Sequence, residues 1–341
     1  MTKQIVLLLP GQGSQYAGMA VPVHRREPVF ARVCDEFFDA MGADGAGLRR
    51  SWLGADPEEP VDDGRWAQPL LFIVGYGLGR VLESRGVRPS ALLGHSVGEL
   101  AAAALAGVFD LPAAARILRG RSRVLAGAPP GGMLAVAATP DRAAALVHPD
   151  WAAAGLVVGA VNAPAQTILA GPEPELTLAE TAIRDAGVIA RRVRSRQPFH
   201  SPVLADAARA FEKVISGEAL HPPRIPVRSA RTGRMVEPHE AVDPAFWAHL
   251  MCEPVLFWPA LQGFAADGDW VFAEAGPGNG LSTAARRHPS VIARRGEVVT
   301  LLPPAGTDQW PVWEAGRQRL TQLSDEPGSE PGGDGETCTA R

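Results

Sequence analysis

The stretch LLGHSVGEL, Leu92 to Leu100, decides how the rest of the chain is read. Ser96 stands between Gly94 and Gly98 in the spacing G-x-S-x-G, after an apolar run and before a proline-free stretch of small and apolar residues. In a strand–turn–helix of this kind the turn is so tight that the residues flanking the serine must be small. The serine is left exposed at the C-terminal end of the strand, above helix N–H groups and the positive end of the helix dipole. Five residues of pattern carry little weight in a glycine-rich chain; the apolar strand before them and the helix after them add to it. The competing reading is a structural turn. The nucleophile reading requires the remaining chain to supply a base, an oxyanion hole and a binding group.

Working outward, Gln4 to Leu9 reads as a buried strand closed by Pro10-Gly11, and Gln68 to Gly86 as a buried helix. The elbow serine feeds one helix, and a second follows from about Leu111 to Ala126. The stretch GAPPGG from Gly127 breaks the pattern. Beyond it the segments read strand, helix, strand, strand, helix, strand, the order of a ferredoxin-like unit. The larger unit resumes near QPFHS, with further strands at PVRSARTG and DWVFAEAGPG. The expected fold is therefore α/β: an α/β-hydrolase-like large domain in two parts, residues 1–127 and 195–323, with an inserted ferredoxin-like subdomain at 128–194. The active site is expected between the two. From Ser324 the chain is rich in Pro, Gly and acid and reads as a disordered tail, 324–341.

Composition narrows the function classes. The chain has 341 residues, 46% of them hydrophobic, enough for a sizeable core. Its formal net charge is −4, and its one basic tract is RRVRSR, Arg191 to Arg196, so nucleic acid is not an expected partner. That tract could dock an acidic carrier protein or the phosphates of coenzyme A, but a solvated strand edge is the favoured reading. Cys34, Cys252 and Cys338 are scattered and form no C-x-x-C pair, which argues against a zinc knuckle or disulfide framework and fits a reducing, cytoplasmic location. The apolar run at Ile5 to Leu9 is too short for a signal peptide, and no run is long enough to span a membrane.

Six stretches together carry a resemblance. GHSVGE, with PGQGSQ at Pro10 to Gln15, AQP at Ala67 to Pro69, VNAPAQ at Val161 to Gln166, PFHS at Pro198 to Ser201 and EAGPG at Glu274 to Gly278, resembles the malonyl-CoA:acyl carrier protein transacylase family. That family includes the acyltransferase domains of polyketide synthases. The matches come in the family's order and spread over most of the chain. The resemblance implies Ser96 as nucleophile and His200 as base. His95 is the rival because it adjoins Ser96, but neighbours in a tight turn point apart. It also implies an oxyanion hole from the backbone N–H groups of Gln12 and Val97, with Gly11 and Gly13 letting that loop come close; the plainer reading of PGQGSQ is an ordinary strand-terminating loop. The base is expected to be oriented by a backbone carbonyl near LMCEPV rather than by an acid. At Leu250, in that segment, related sequences carry Gln, Asn or His, so Leu250 is a departure.

The resemblance also implies that a substrate carboxylate is held by an arginine of the helix after the elbow helix, where a guanidinium fork can meet it with two parallel hydrogen bonds. Arg119, Arg121 and Arg123 compete there; ungapped alignment from Ser96 selects Arg121, a two-residue shift selects Arg119, and a solvated helix face is the plain reading of each. Phe199 goes with malonyl rather than methylmalonyl in polyketide acyltransferases, and His95, Asn162 and Leu250 complete the expected substrate contacts. The resulting expectation is a monomeric, stand-alone acyltransferase that moves malonyl, or a related acyl group, from coenzyme A to the phosphopantetheine thiol of an acyl carrier protein through an acyl-serine. It would need no metal or other cofactor, and polyketide biosynthesis is preferred over fatty-acid synthesis. The alternatives are an editing thioesterase on the same scaffold and a non-catalytic protein that docks the carrier.

Overall fold

The computed structural model describes residues 3–54, 63–193, 195 and 197–325. Strands β1 (Gln4–Leu9), β2 (Ala91–Gly94), β3 (Gly131–Val136), β4 (Val157–Ala163), β5 (Gln166–Pro172), β6 (Ala190–Arg192), β7 (Val227–Arg228), β8 (Trp270–Glu274) and β9 (Glu297–Thr300) fall into two sheets. The first is parallel, in the order β7-β2-β1-β8-β9. Its central strand, β1, is an unbroken apolar run with Ile5 to Leu9 at most 3% exposed, as expected of a parallel strand covered on both faces. Helix Val97–Ala106 packs on this sheet, and helices Gly64–Ser84 and Leu111–Ala126 pack against that helix and each other, all three buried along much of their length.

The second sheet is antiparallel, in the order β4-β5-β3-β6, with its helical segments in the two crossovers of a ferredoxin-like unit. Its two faces follow the period of two. Leu134 and Val136 of β3 and Leu169 of β5 pack with Leu176, Ala179 and Ile183 in a small separate core. The alternate residues Met133, Ile168 and Ala170 join the main core. A parallel bridge from Ala160 to Val255 ties β4 to the large unit.

The expected fold class is the one observed. Several details differ. The strand expected at PVRSARTG is only Val227–Arg228, because the chain turns at Thr232-Gly233 and pairs back through Met235. Strand β9 and the helices Val21–Arg26, Pro28–Met41 and Ala43–Leu53 are additions to the expected elements. The helix Gln309–Asp325 runs past the expected tail boundary at Ser324, since Leu320 and Leu323 are anchored in the core. Residues 326–341 of that tail, and Arg194 and Arg196 of the basic tract, lie outside the described residues. No helix among the described residues is long and apolar enough to cross a membrane.

Candidate active site

Ser96 sits at the junction of β2 and the helix Val97–Ala106 with φ 55° and ψ −122°, a conformation L-residues rarely adopt. The glycines two positions either side explain themselves by distance. A Cβ on Gly94 would lie 2.2 Å from the Glu99 nitrogen, and one on Gly98 would lie 2.1 Å from the Leu9 carbonyl oxygen. The turn is thus an elbow wedged against the end of β1.

His200 reaches this serine from the other part of the large unit. Its Nε2 lies 2.8 Å from Ser96 Oγ, and its Nδ1 lies 3.0 Å from the backbone oxygen of Glu253. A carbonyl can only accept, so Nδ1 carries the proton and Nε2 is free to accept from the serine hydroxyl. The backbone of His200 is itself fixed, its N–H donating to the Met251 carbonyl at 2.8 Å. Burial, with the nearby charges of His95 and Arg121 acting the same way, pushes the His200 pKa down to about 3. Backbone contacts with Glu253 and Leu250 pull in the opposite direction.

His95 turns away from the serine. Its Nε2 lies 2.8 Å from Asn162 Oδ1 on β4, its ring centroid lies 5.7 Å from that of Phe257, and burial lowers its pKa. The loop after β1 approaches from beyond: a Cβ on Gly11 would stand 2.4 Å from the His95 carbonyl, and Gly13 takes a positive φ of 110°. The two glycines therefore serve different needs, close approach and backbone conformation. Among the described residues, the N–H groups of Gln12 and Val97 donate to no protein acceptor. Two such free N–H groups are the kind of donor that can receive a developing oxyanion. Ser96, His200, His95, Asn162, Phe199 and Phe257 line one cleft of about 640 Å³ between the two sheets.

The three competing arginines part company. Arg123 is 69% exposed with Asp44 3.8 Å away, and Arg119 reaches the Met41 carbonyl in a separate surface groove. Arg121 is 2% exposed. Its Nε donates to Gln68 Oε1 at 2.7 Å, its Nη1 has no partner among the described residues, and its guanidinium carbon lies 5.7 Å and 5.4 Å from the ring centroids of Phe199 and Phe211. Burial without an acidic partner lowers its pKa to about 10. It does not line the cleft but stands one layer behind it, against Phe199 and, through Gln68, against Gln12, whose Oε1 accepts from Gln68 Nε2 at 3.0 Å. An arginine has only donors, so both amides in this relay are forced into one orientation, and Gln12 Nε2 is left as a second buried donor without a partner.

Leu250 corrects the sequence reading. Its side chain is 5% exposed and packs in the main core, so it does not line the cleft. The carbonyl that orients His200 belongs to Glu253, three residues on. Gln68 and Glu99 escape the sequence reading, although they lie within AQP and GHSVGE. Both are polar residues in otherwise apolar helical stretches, and that is the signal by which they could be found. No group of three or more His, Cys, Asp or Glu among the described residues is placed to hold a metal ion.

The acyl transferase domain family matches residues 6–319. The chain belongs to that family. It is 36% identical over 294 residues to a phenolphthiocerol/phthiocerol polyketide synthase of Mycobacterium tuberculosis, covering 84% of this chain and 19% of that protein. It is 34% identical over 333 residues to the polyketide synthase GfsA of Streptomyces halstedii, covering 91% of this chain and 4% of that protein. The chain thus spans a fifth or less of the length of these relatives. Among solved structures it resembles the acyltransferase domain from the second module of the salinomycin polyketide synthase, with TM-score 0.83 and 32% identity over 94% of this chain and 74% of that one. It also resembles the malonyl-CoA:acyl carrier protein transacylase of Xanthomonas oryzae pv. oryzae, with TM-score 0.80 and 28% identity over 92% and 99% of the two chains.

Proposed function

We propose that this acyltransferase moves a malonyl-type group from coenzyme A to the phosphopantetheine thiol of an acyl carrier protein, in the cytoplasm and in polyketide biosynthesis. The observation that carries the reading is Arg121, a buried cation without an anionic partner, one layer behind a hydrogen-bonded serine and histidine. A buried charge of this kind is costly unless something pairs with it. An acyl group that ends in a carboxylate supplies the partner; an acetyl group does not. To reach it, the carboxylate must displace the packing of Phe199 or slip past the Gln12–Gln68 pair.

In the proposed reaction Ser96 Oγ attacks the thioester carbonyl carbon while His200 Nε2 takes the hydroxyl proton. The tetrahedral oxyanion faces the Gln12 and Val97 N–H groups. The C–S bond then breaks, and the departing thiolate takes the proton from His200, which leaves an acyl-serine and a neutral imidazole. The carrier thiol repeats the sequence in reverse, giving its proton to His200 as its sulfur attacks the ester. Every step uses one proton and one bond exchange, and the Glu253 carbonyl holds the imidazole in the required tautomer throughout.

The test is acid quench of the protein after incubation with labelled malonyl-CoA. A stable label on the wild type that is absent from Ser96→Ala, and that moves to added holo carrier protein, is the expected result. Rapid release as free malonate would make the protein a hydrolase, and absence of label would remove the catalytic reading.

A further inference from the structure

Among the described residues the base in this site has no acidic third member, so the position of its imidazole depends on whatever fixes the Glu253 carbonyl. That peptide follows the short helical turn His249–Met251 and precedes Pro254. Its own side chain is tied down. The Glu253 carboxylate, 41% exposed, accepts from Arg231 Nη1 at 2.7 Å. Arg231 is only 15% exposed in its side chain, and its guanidinium carbon stacks 4.3 Å over the Phe246 ring centroid. The Arg231 N–H donates to Ser229 Oγ at 3.1 Å. The preceding Ala230 is gripped on both sides: its N–H donates to Glu99 Oε2 at 3.0 Å, and its carbonyl accepts from the Leu256 N–H.

Glu99 belongs to the first turn of the helix that starts at Val97, three residues beyond Ser96. The contacts therefore close a ring. It runs from Ser96 through the elbow helix to Glu99, across to Ala230 and Arg231, through the ion pair to Glu253, and from its carbonyl through the imidazole back to Ser96. Each link but one is backbone or is fixed by burial. The exception is the Arg231–Glu253 pair, a partly exposed bond between two side chains.

We propose that Arg231 and Glu253 are positioning residues for His200. Their ion pair fixes the peptide that orients the imidazole and so sets its reach to Ser96. The Glu253 end of the pair is partly exposed, which limits what the pair adds to stability, whereas a displacement of the base by a fraction of an ångström acts directly on proton transfer. The proposal rests on Ser96 and His200 acting together, but not on which acyl group they transfer.

The experiment reads that pairing without an acyl substrate, as the rate of Ser96 sulfonylation by phenylmethylsulfonyl fluoride, with thermal melting recorded in parallel. Arg231→Ala and Glu253→Ala are expected to lower the maximal sulfonylation rate by about tenfold at an unchanged half-saturating concentration. The double variant should be no slower than either single one, and the charge-reversed pair Arg231→Glu with Glu253→Arg should recover to within about threefold of wild type. Wild-type rates in both single variants, additive losses in the double variant, or a loss that charge reversal does not relieve while melting is restored, would each overturn the proposal. If Arg231→Ala does not fold, Glu253→Ala and Arg231→Lys carry the same comparison. A wild-type rate that is unchanged by His200→Ala would overturn the serine–histidine pairing itself, and this inference with it.

Discussion

Replacing Arg121 by methionine separates stability from function in opposite directions. Wild type holds a guanidinium at 2% exposure, with one Nη1 unpartnered and its pKa lowered from 12.5 to about 10. That shift corresponds to roughly 3 kcal/mol against the charged form. Arg121→Met removes this cost and keeps an unbranched apolar chain between Phe199 and Phe211. Against that, Gln68 Oε1 loses its donor, about 1–2 kcal/mol, and the ring contacts lose their cation, about 1 kcal/mol. The two sides nearly cancel. The variant should therefore melt close to wild type, unlike the 3–5 kcal/mol loss typical when a paired buried charge is broken.

Function should not be spared. Two charge-assisted hydrogen bonds to a carboxylate amount to about 2–4 kcal/mol, or roughly 30- to 800-fold in the preference for malonyl-CoA over acetyl-CoA. The assay is the ratio of acyl-enzyme formed from the two thioesters in wild type and variant, with melting curves for both. A ratio that does not move would show that the carboxylate never meets Arg121. A loss of several kcal/mol in stability would show that Arg121 is a structural cation with a partner, not an isolated one.

Glu99 gives a pH prediction. Burial raises its pKa from 4.5 to about 7, so between these values the folded chain holds a proton that the unfolded chain releases. Stability from this group is complete below about 4.5 and is lost as pH rises through about 7; Glu99→Gln should be nearly neutral at pH 4.5 and more stable than wild type by roughly 3 kcal/mol at pH 8, read by denaturant unfolding at the two pH values. A difference that is the same at both would sink the assignment. The elbow gives another: because Ser96 holds φ 55°, Ser96→Gly should be more stable than Ser96→Ala by about 1 kcal/mol, the strain relieved less the entropy cost of glycine. Both variants lack the hydroxyl, so the comparison isolates the backbone, and an alanine variant at least as stable would refute the strain.

The fold was legible where one signal sufficed. Strand β1 is a solid apolar run, the antiparallel unit alternates with period two, and the glycines at 94 and 98 mark a turn whose geometry forbids a Cβ. Legibility failed where an element borrows its stability. Strand β9 reads EVVT, a β-branched stretch too short to mark a strand by itself, which is held extended by β8 beside it. The helix Gln309–Asp325 has an irregular pattern, because it is held at a few points, Trp313, Leu320 and Leu323, and by Arg319 on Glu297. The Arg231–Glu253 pair lies 22 positions apart in sequence and carries no local signature at all.

The three arginines of the helix Leu111–Ala126 show how much of a side chain's placement can be read from periodicity alone. On the helix Leu111–Ala126, residues three and four positions apart share a face. The neighbours of Arg121 at those distances are Ile117, Leu118, Val124 and Leu125, an apolar stripe of which Ile117, Leu118 and Leu125 are buried. Those of Arg119 are Ala115, Arg116, Ser122 and Arg123, which is the polar face. Arg123 itself has Arg119 behind it and Gly127 ahead, beyond the helix end. An arginine on the apolar stripe of a helix must go inside, and an arginine inside needs an anion. Set against that stripe, the 3.6-residue repeat places Arg121, rather than Arg119 or Arg123, on the buried face; the expectation that it contacts a carboxylate comes from the family resemblance alone. What the repeat could not give is that no side chain among the described residues waits there to neutralise it. Neither Asp nor Glu among the described residues forms an ion pair with Arg121. The lack of a partner charge is tertiary information, and the proposed carboxylate contact rests on it.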